Sequence, residues 1–408
     1  MADFHQNGNI AQFHNLRSRS LEELEYRLET FAQTRKISLI LPSLYSELEG
    51  KALQTILDEL SKVKYLHRVI IGLDAANELQ FRHAREFFAR LPINHVVLWN
   101  DGPRIKGLME RLEPHGLGPI EKGKGRNVWG CIGYLIACAD SAVMAIHDCD
   151  IVTYDRAMLS RLVYPVAHPA FPYNLSKGFY PRIGNNKLGG RVTRNLVSPL
   201  LISLKKVLGD SEYVDYLRAF RYPLSGEFAM RTASLPDLRM PSDWGLEIGV
   251  LSEAWRNLGP RAVCQVEIAD VYDHKHQDLS AEDALTGLNR MSLDICKAIF
   301  RKLAADGVVM SPNTFRTLKA TYYRRALDML EVYSHDAQMN GLGFDRPAEE
   351  RSIQLFAENI IQAGQIFLEN PQELPFIPNW NLVNAADPDF LSDFRAAVAL
   401  DMAESAPG

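Results

Sequence analysis

The sequence predicts an α/β fold: a parallel sheet flanked by helices, followed by a helical C-terminal extension. Three observations carry that expectation. Short apolar runs alternate with amphipathic stretches from Ile37 to His147, the rhythm of βαβ units. Several of those runs end on a proline or a carboxylate, at Pro42, Asp74 and Asp148, and such sheets bind ligands beyond the carboxyl ends of their strands. From Ser280 onward the pattern turns mostly helical.

Residues 1–35 read as a polar, partly helical lead-in. Ile37–Pro42 is a short apolar strand, and Glu47–Val63 has helical spacing through Leu48, Leu53, Ile56, Leu57 and Leu60. A strand over Arg68–Leu73, a helix over Asn77–Leu91, a strand over His95–Trp99 and a helix from Pro103 to Leu112 follow. After a glycine-rich loop from Gly116 to Gly125, Asn127 is expected to cap a helix reaching Ala139. Ala142–His147 then forms a fourth strand leading into Asp148-Cys149-Asp150. Beyond Tyr164 the pattern mixes a strand-like Ala170–Tyr180, helices over Thr193–Val207 and Gly245–Leu258, and a strand over Ala262–Ile268. Helices are expected over Ala281–Ala305, Pro312–His335 and Pro347–Phe367, with a weakly patterned tail after Ala386.

Composition narrows the function. The 408 residues allow about two domains. Hydrophobic residues at 47% and charged residues at 23% are ordinary for a globular chain. A net charge of −5 argues against a dedicated nucleic-acid partner. The cysteines, Cys131, Cys138, Cys149, Cys264 and Cys296, are odd in number and lack a CxxC pair, which reads as reduced thiols in a cytoplasmic protein. The N-terminus lacks the basic and apolar regions of a secretion signal, and the apolar stretch Val128–Ala139 is too short to span a bilayer, so no integral membrane segment is expected.

Five segments carry candidate chemistry. In Asp148-Cys149-Asp150, two carboxylates one residue apart on a strand-end turn can divide labour, one binding a hard cation and the other a sugar or ribose. Alone, such a triplet is more often a turn cap; its place after the fourth strand raises its value. Gly123-Lys124-Gly125-Arg126 sets a lysine between glycines before a helix, where it can neutralise a phosphate, although the spacing is not that of a P-loop and a solvated basic turn is the plainer reading. Gly189-Gly190-Arg191-Val192-Thr193-Arg194 offers close backbone approach, a guanidinium fork and a hydroxyl, suited to a phosphate or carboxylate and compatible with a helix cap at Thr193. Asp273-His274-Lys275-His276 presents an imidazole that Mn²⁺ accepts readily and Mg²⁺ tolerably, unless it is a surface loop. Glu247 in Gly245-Leu246-Glu247-Ile248-Gly249 is a carboxylate in an apolar run that can orient a hydroxyl or simply begin a helix.

These segments, together with Lys177-Gly178-Phe179-Tyr180 and Leu224-Ser225-Gly226-Glu227, resemble in order and spacing the retaining glucosyl-3-phosphoglycerate synthases and their mannosyl relatives, from about Ile37 to Leu279. The resemblance implies a GT-A, Rossmann-like sheet with a nucleotide-sugar half over 36–160 and an acceptor-binding and metal-completing half over 161–280; the helical extension over 281–408, read from its own periodicity, exceeds the shorter family pattern. It implies that Pro42, Ser43, Leu44, Tyr45 and Ser46 line the nucleoside pocket, that Asn77 stands at the base, and that Lys124, Asp148, Cys149 and Leu224 contact the donor. Trp244, Gly245, Leu246, Glu247, Tyr272, Asp273, Lys275 and Gln277 would close around the donor sugar. Asp150 and His274 would bind Mg²⁺ or Mn²⁺ with the diphosphate. Gly190, Arg191, Val192, Thr193 and His276 would hold the phosphoglycerate. The family's Pro-Ala-Leu-Asn-Glu entry stands here as Pro42-Ser43-Leu44-Tyr45-Ser46, its serine- and glycine-rich stretch as Ala75-Ala76-Asn77, and an acceptor asparagine as His276.

The implied reaction is transfer of glucose from UDP-glucose to the 2-hydroxyl of 3-phosphoglycerate with retention. Lys124, Asp150 and Glu247 would be the catalytic set, acting by same-face displacement without an enzymic nucleophile. The resemblance also implies a homodimer. Mannosyl transfer from GDP-mannose is the nearest alternative. A non-catalytic nucleotide-sugar sensor is a different class, and a zinc hydrolase a remote third.

Overall fold

The computed structural model describes residues 6–118, 120–274, 281–371 and 376–404. The first half of the chain runs β1 (Ala11–Phe13), α1 (Leu21–Ala32), β2 (Ile37–Leu44), α2 (Lys51–Leu60), β3 (Leu66–Asp74), α3 (Glu78–Phe88), β4 (His95–Trp99), α4 (Pro103–Glu110), α5 (Lys124–Cys138), β5 (Val143–Ile146) and α6 (Arg156–Ala167). The second runs β6 (Leu175–Phe179), β7 (Ile183–Gly184), β8 (Lys187–Leu188), α7 (Ser198–Leu208), α8 (Glu212–Ala219), β9 (Phe228–Arg231), β10 (Met240–Pro241), α9 (Leu246–Asn257) and β11 (Val263–Glu267). The C-terminal part holds α10 (Ala281–Ala305), α11 (Pro312–Met339), α12 (Arg346–Glu369), β12 (Phe376–Ile377), α13 (Trp380–Ala386) and α14 (Phe390–Glu404).

Eight strands form one sheet in the order β1-β11-β6-β9-β5-β2-β3-β4. Ile37, Leu39, Ile40 and Leu41 of β2 are wholly buried, as expected for a parallel strand covered on both faces. The sheet is mixed rather than all parallel: β9 pairs antiparallel with both β5 and β6. That reversal matters for the site. The carboxyl ends of β2, β3, β4, β5, β6 and β11 share one edge, and β9 begins at that edge, so the turn Ser225-Gly226-Glu227 just before it arrives beside Asp148.

Two apolar cores cover the two faces. One gathers Leu53, Ile56, Phe81, Phe88, Leu159 and Val163 from α2, α3 and α6 against β2 and β3. The other joins Ile40, Ile70 and Met144 to Trp129, Leu251, Phe300, Phe356 and Trp380, so the C-terminal helices share a continuous core with the sheet. Each fully buried aliphatic or aromatic side chain contributes about 1.5–3 kcal/mol. Trp380 stacks on Trp129 at 4.1 Å between centroids. Each indole donates to a main-chain carbonyl, Trp129 Nε1 to Pro378 O at 2.7 Å and Trp380 Nε1 to Trp129 O at 3.1 Å. Gly133 permits this approach, because a Cβ there would lie 2.0 Å from the Trp380 ring.

Several sequence expectations are corrected. Helix α5 starts at Lys124, not after Asn127, with Gly123 at the cap and no side-chain cap. Asn127 lies inside the helix and donates to Gly72 O at 2.8 Å. Gly123 and Gly125 allow this start, since a Cβ at either would meet the Ser242 or Pro241 carbonyl oxygen at 2.5 and 2.0 Å. Residues 1–35 include β1, which pairs with β11. The stretch from Thr193 to Val197 is a π-helical turn continuing into α7, and the tail after Ala386 holds α14. The 160/161 division falls within α6, whereas 280/281 coincides with the start of α10. Among the described residues no helix is long and apolar enough to cross a membrane.

Candidate nucleotide-sugar site

A cavity of about 550 Å³ opens at the shared strand edge. Pro42, Ser43 and Leu44 from the end of β2 line it, with Lys124 from α5, Asp148, Cys149 and Asp150 from the turn after β5, and Trp244, Leu246 and Glu247 at the start of α9. Tyr45, Ser46, Asn77, Leu224, Gly245, Tyr272 and Asp273 fall outside this lining. Tyr45 bonds to His83 Nδ1 at 3.0 Å. Asn77 forms a capping box with Gln80 at the start of α3, which occupies its side-chain oxygen. Lys275, His276 and Gln277 lie outside the described residues.

Lys124 is the electrostatic centre. It occupies the first turn of α5, where free backbone N–H groups and the helix dipole already favour an anion and disfavour a lysine. Its Nζ compensates by lying 2.7 Å from Asp148 Oδ1 and 3.3 Å from Glu247 Oε1. Burial works against its charge, but the carboxylates of Asp148 and Glu247 outweigh that and raise its pKa, so it stays protonated. Burial pushes Asp148 up to about 6, partly opposed by Lys124. Glu247 sits in the first turn of α9, where a carboxylate is favourable. Cys149 is 3% exposed and burial raises its thiol well above the usual range, which disfavours the reactive thiolate.

Asp150 and His274 come from different elements, joined by the antiparallel bridge between Ile151 and His274. Asp150 Oδ2 lies 3.3 Å from His274 Nδ1. Burial raises the Asp150 pKa, and the hydrogen bond and charge of His274 together with the charge of Lys124 more than reverse it. Among the described residues no group of three or more metal-ligating side chains occurs. One carboxylate and one imidazole therefore fit a hard or borderline divalent ion only if substrate oxygens complete its shell, a set that suits Mg²⁺ or Mn²⁺ far better than a closed zinc site.

The acceptor candidates Gly190, Arg191, Val192 and Thr193 also fall outside the cavity lining. Gly190 has φ 67°, the left-handed region that favours glycine. Val192 and Thr193 are buried, and Arg191 is half-buried. Thr193 Oγ1, Arg194 Nη1 and Asn195 Oδ1 are buried without a hydrogen-bond partner among the described residues. Such clustered orphans are uncommon, and π-helical turns recur at functional sites.

Sequence reasoning missed the layer beneath the cavity. Glu227 is fully buried and accepts hydrogen bonds from Tyr180, from Tyr272 at 2.9 Å and from Ser225 Oγ at 3.0 Å. Tyr180 and Tyr272 stack at 3.8 Å. Lys177, 1% exposed, donates to Ser225 O, and burial lowers its pKa to about 8. Both motifs stood out in the sequence, but no local signal assigned them to a shared floor. Also missed was Arg290, which reaches the cavity from α10; Arg126, quoted beside Lys124 but given no role, lies 3.0 Å from Asp74 and 3.8 Å from Asp101.

No family model matches the chain. A glucosyl-3-phosphoglycerate synthase of Persephonella marina is 43% identical over 401 residues, covering 98% of this chain and 99% of that one. One from Methanococcoides burtonii is 36% identical, covering 94% of each. Among solved structures, glucosyl-3-phosphoglycerate synthase from Mycobacterium tuberculosis in complex with phosphoglyceric acid superposes with a TM-score of 0.53 at 22% identity, covering 74% of this chain and 90% of that one. The same enzyme with Mn²⁺, UDP and glucosyl-3-phosphoglycerate gives 0.52 with the same coverage. The sheet is therefore the GT-A sheet of those structures with a helical C-terminal region. With near full-length identity in two relatives of one name, the chain belongs to the glucosyl-3-phosphoglycerate synthase family.

Proposed function

We propose that this chain transfers the glucosyl group of UDP-glucose to the 2-hydroxyl of 3-phosphoglycerate with retention, as a metal-dependent glycosyltransferase. The observation that carries the reading is the pairing of Lys124 with Asp148 and Glu247 in the same cavity as Asp150, whose partner is His274. Family membership supports the substrate pair. The relative from M. tuberculosis binds UDP, UDP-glucose and phosphoglyceric acid with Mn²⁺, and UDP with Mg²⁺.

Electrostatics favours a cation-dependent donor. The cavity lining holds seven carboxylates against four cationic side chains, Lys122, Lys124, Arg126 and Arg290. A diphosphate would be repelled there unless a divalent ion accompanies it. Asp150 and His274 would hold that ion, which would supply charge neutralisation at the leaving diphosphate. Lys124 adds a fixed positive charge at the same place. Glu247 orients a sugar hydroxyl, and Asp148 holds Lys124 while facing the donor. Trp244, 48% exposed at the cavity wall, offers an aromatic face to the ring.

In this reading no side chain acts as a nucleophile. The bond from the sugar C1 to the phosphate oxygen breaks as the acceptor 2-hydroxyl oxygen bonds to C1 on the same face, and the hydroxyl proton passes to the leaving phosphate oxygen. Gly190, Arg191, Val192 and Thr193 hold the phosphoglycerate. The five free cysteines, four of them buried, support a cytoplasmic setting. A homodimer is part of the reading.

The test is a donor panel with 3-phosphoglycerate and Mg²⁺ or Mn²⁺, scored by product mass. A hexosyl-phosphoglycerate product from UDP-glucose is expected. Product from GDP-mannose instead would shift the donor, and no product from any nucleotide-sugar would overturn the enzyme reading.

A further inference from the structure

The C-terminal helices reach the acceptor segment at one buried carboxylate. Glu349, in the first turn of α12, is 5% exposed. Its Oε1 accepts from Arg191 Nε at 3.1 Å. Its Oε2 accepts from Asn195 Nδ2 at 2.5 Å and lies 3.3 Å from Arg194 Nη2. A carboxylate taken out of water is costly unless it is paired and hydrogen-bonded. Here every donor comes from one short stretch, 191–195. Tyr322 of α11 binds the same stretch through Asn195 O at 2.6 Å.

The two arginines differ. Arg194 is buried and turned back on its own loop, with Nε to Gly189 O at 2.8 Å and Nη2 to Leu188 O at 3.2 Å. It fastens the glycine pair. The side chain of Arg191 is 37% exposed and is held by its Nε alone, so both its Nη groups remain without a hydrogen bond among the described residues. Paired guanidinium nitrogens form the fork that grips a carboxylate or phosphate in two parallel bonds. A guanidinium fixed in advance loses less rotamer freedom when its ligand arrives.

We propose that Glu349 is the positioning residue of the acceptor site, pinning Arg191 by Nε so that its terminal nitrogens receive the acceptor's anionic group. The inference rests on the reading that residues 190–193 hold phosphoglycerate, and it gives the helical extension a part in acceptor recognition. Glu349 touches no substrate; it acts through Arg191.

Steady-state kinetics with both substrates varied, on Glu349→Gln, Arg191→Ala and the double variant, test this. Glu349→Gln removes the charge and turns an amide toward the donors of Arg194 and Asn195. It is expected to raise the acceptor KM by about tenfold to a hundredfold, with donor KM and kcat at saturating acceptor within about twofold. Arg191→Ala is expected to raise the acceptor KM at least as far, and the double variant to match Arg191→Ala alone, because residues acting as one unit are non-additive. Glu349→Asp keeps the charge on a shorter arm and is expected to fall between wild type and Glu349→Gln; it serves should the Gln variant fail to fold. Equal rises in donor and acceptor KM, or effects that multiply in the double variant, would overturn the role of Glu349 while leaving the acceptor site standing. An acceptor KM indifferent to Arg191→Ala would overturn the acceptor reading itself.

Discussion

Substituting Gly226 by alanine tests the geometry around Asp148 without removing any functional group. A Cβ at this position would lie 2.5 Å from Asp148 Oδ2, and 3.0 Å from both Asp148 Cγ and Lys124 Nζ. Ordinary contact begins at 3.4 Å, so the carboxylate must retreat by roughly 0.9 Å to restore normal packing. That movement separates it from Lys124, now 2.7 Å away, and displaces the lysine that would face the leaving diphosphate. A misplacement of about 1 Å in a catalytic constellation costs on the order of a hundredfold in rate, equivalent to about 2.7 kcal/mol in the barrier. The atoms in the way are side-chain ends, so the fold should survive with a loss of about 1–3 kcal/mol from overpacking. Kinetics with varied UDP-glucose, alongside thermal melting, separate the two effects. A folded Gly226→Ala protein with donor kcat/KM within threefold of wild type would refute the close approach of this turn to Asp148 and Lys124.

Other perturbations probe the remaining parts. Lys124→Met is expected to lower kcat by about 10²- to 10³-fold, measured with saturating substrates; a fall of less than tenfold would remove the lysine from the leaving-group role. His147 is wholly buried with both ring nitrogens unpartnered among the described residues, and burial lowers its pKa to about 4 from 6.5. The unfolded chain takes up that proton first, so the stabilising contribution is whole above pH 6.5 and is lost as pH falls to 4, about 3 kcal/mol in all. Denaturation followed against pH should show this acid limb in wild type and a flatter one in His147→Phe. Gly133→Ala drives a methyl group into the Trp380 ring and is expected to cost about 1–3 kcal/mol or more; urea midpoints equal to wild type would contradict the packing of α13 on α5.

Much of the fold was legible because it is local. β2, β3, β4 and β5 are parallel strands buried on both faces, so they read as unbroken apolar runs, and α10 to α12 repeat their apolar positions over many turns. The order of the Lys124, Asp148-Asp150, Gly190–Thr193, Glu247 and His274 segments was likewise visible along the chain. Illegible were β1 and β9, of three and four residues, whose pairing partners lie far off in sequence. Helix α5 was placed too late because glycines on both sides of Lys124 read as loop, and only the carbonyls of Pro241 and Ser242 reveal why glycine stands there.

The sequence by itself determined which side chains are proposed to carry the chemistry and the alternation that lines up the strand ends, since residue type and periodicity are properties of a short stretch. Tertiary structure alone decided their partnerships: Lys124 between Asp148 and Glu247, Asp150 against His274, Glu227 beneath them, and Arg191 on Glu349. Those pairings join residues separated by tens to more than a hundred positions. Their strength depends on burial and on distances of about 3 Å, which no local pattern encodes because they arise only when the sheet and the C-terminal helices close over one another.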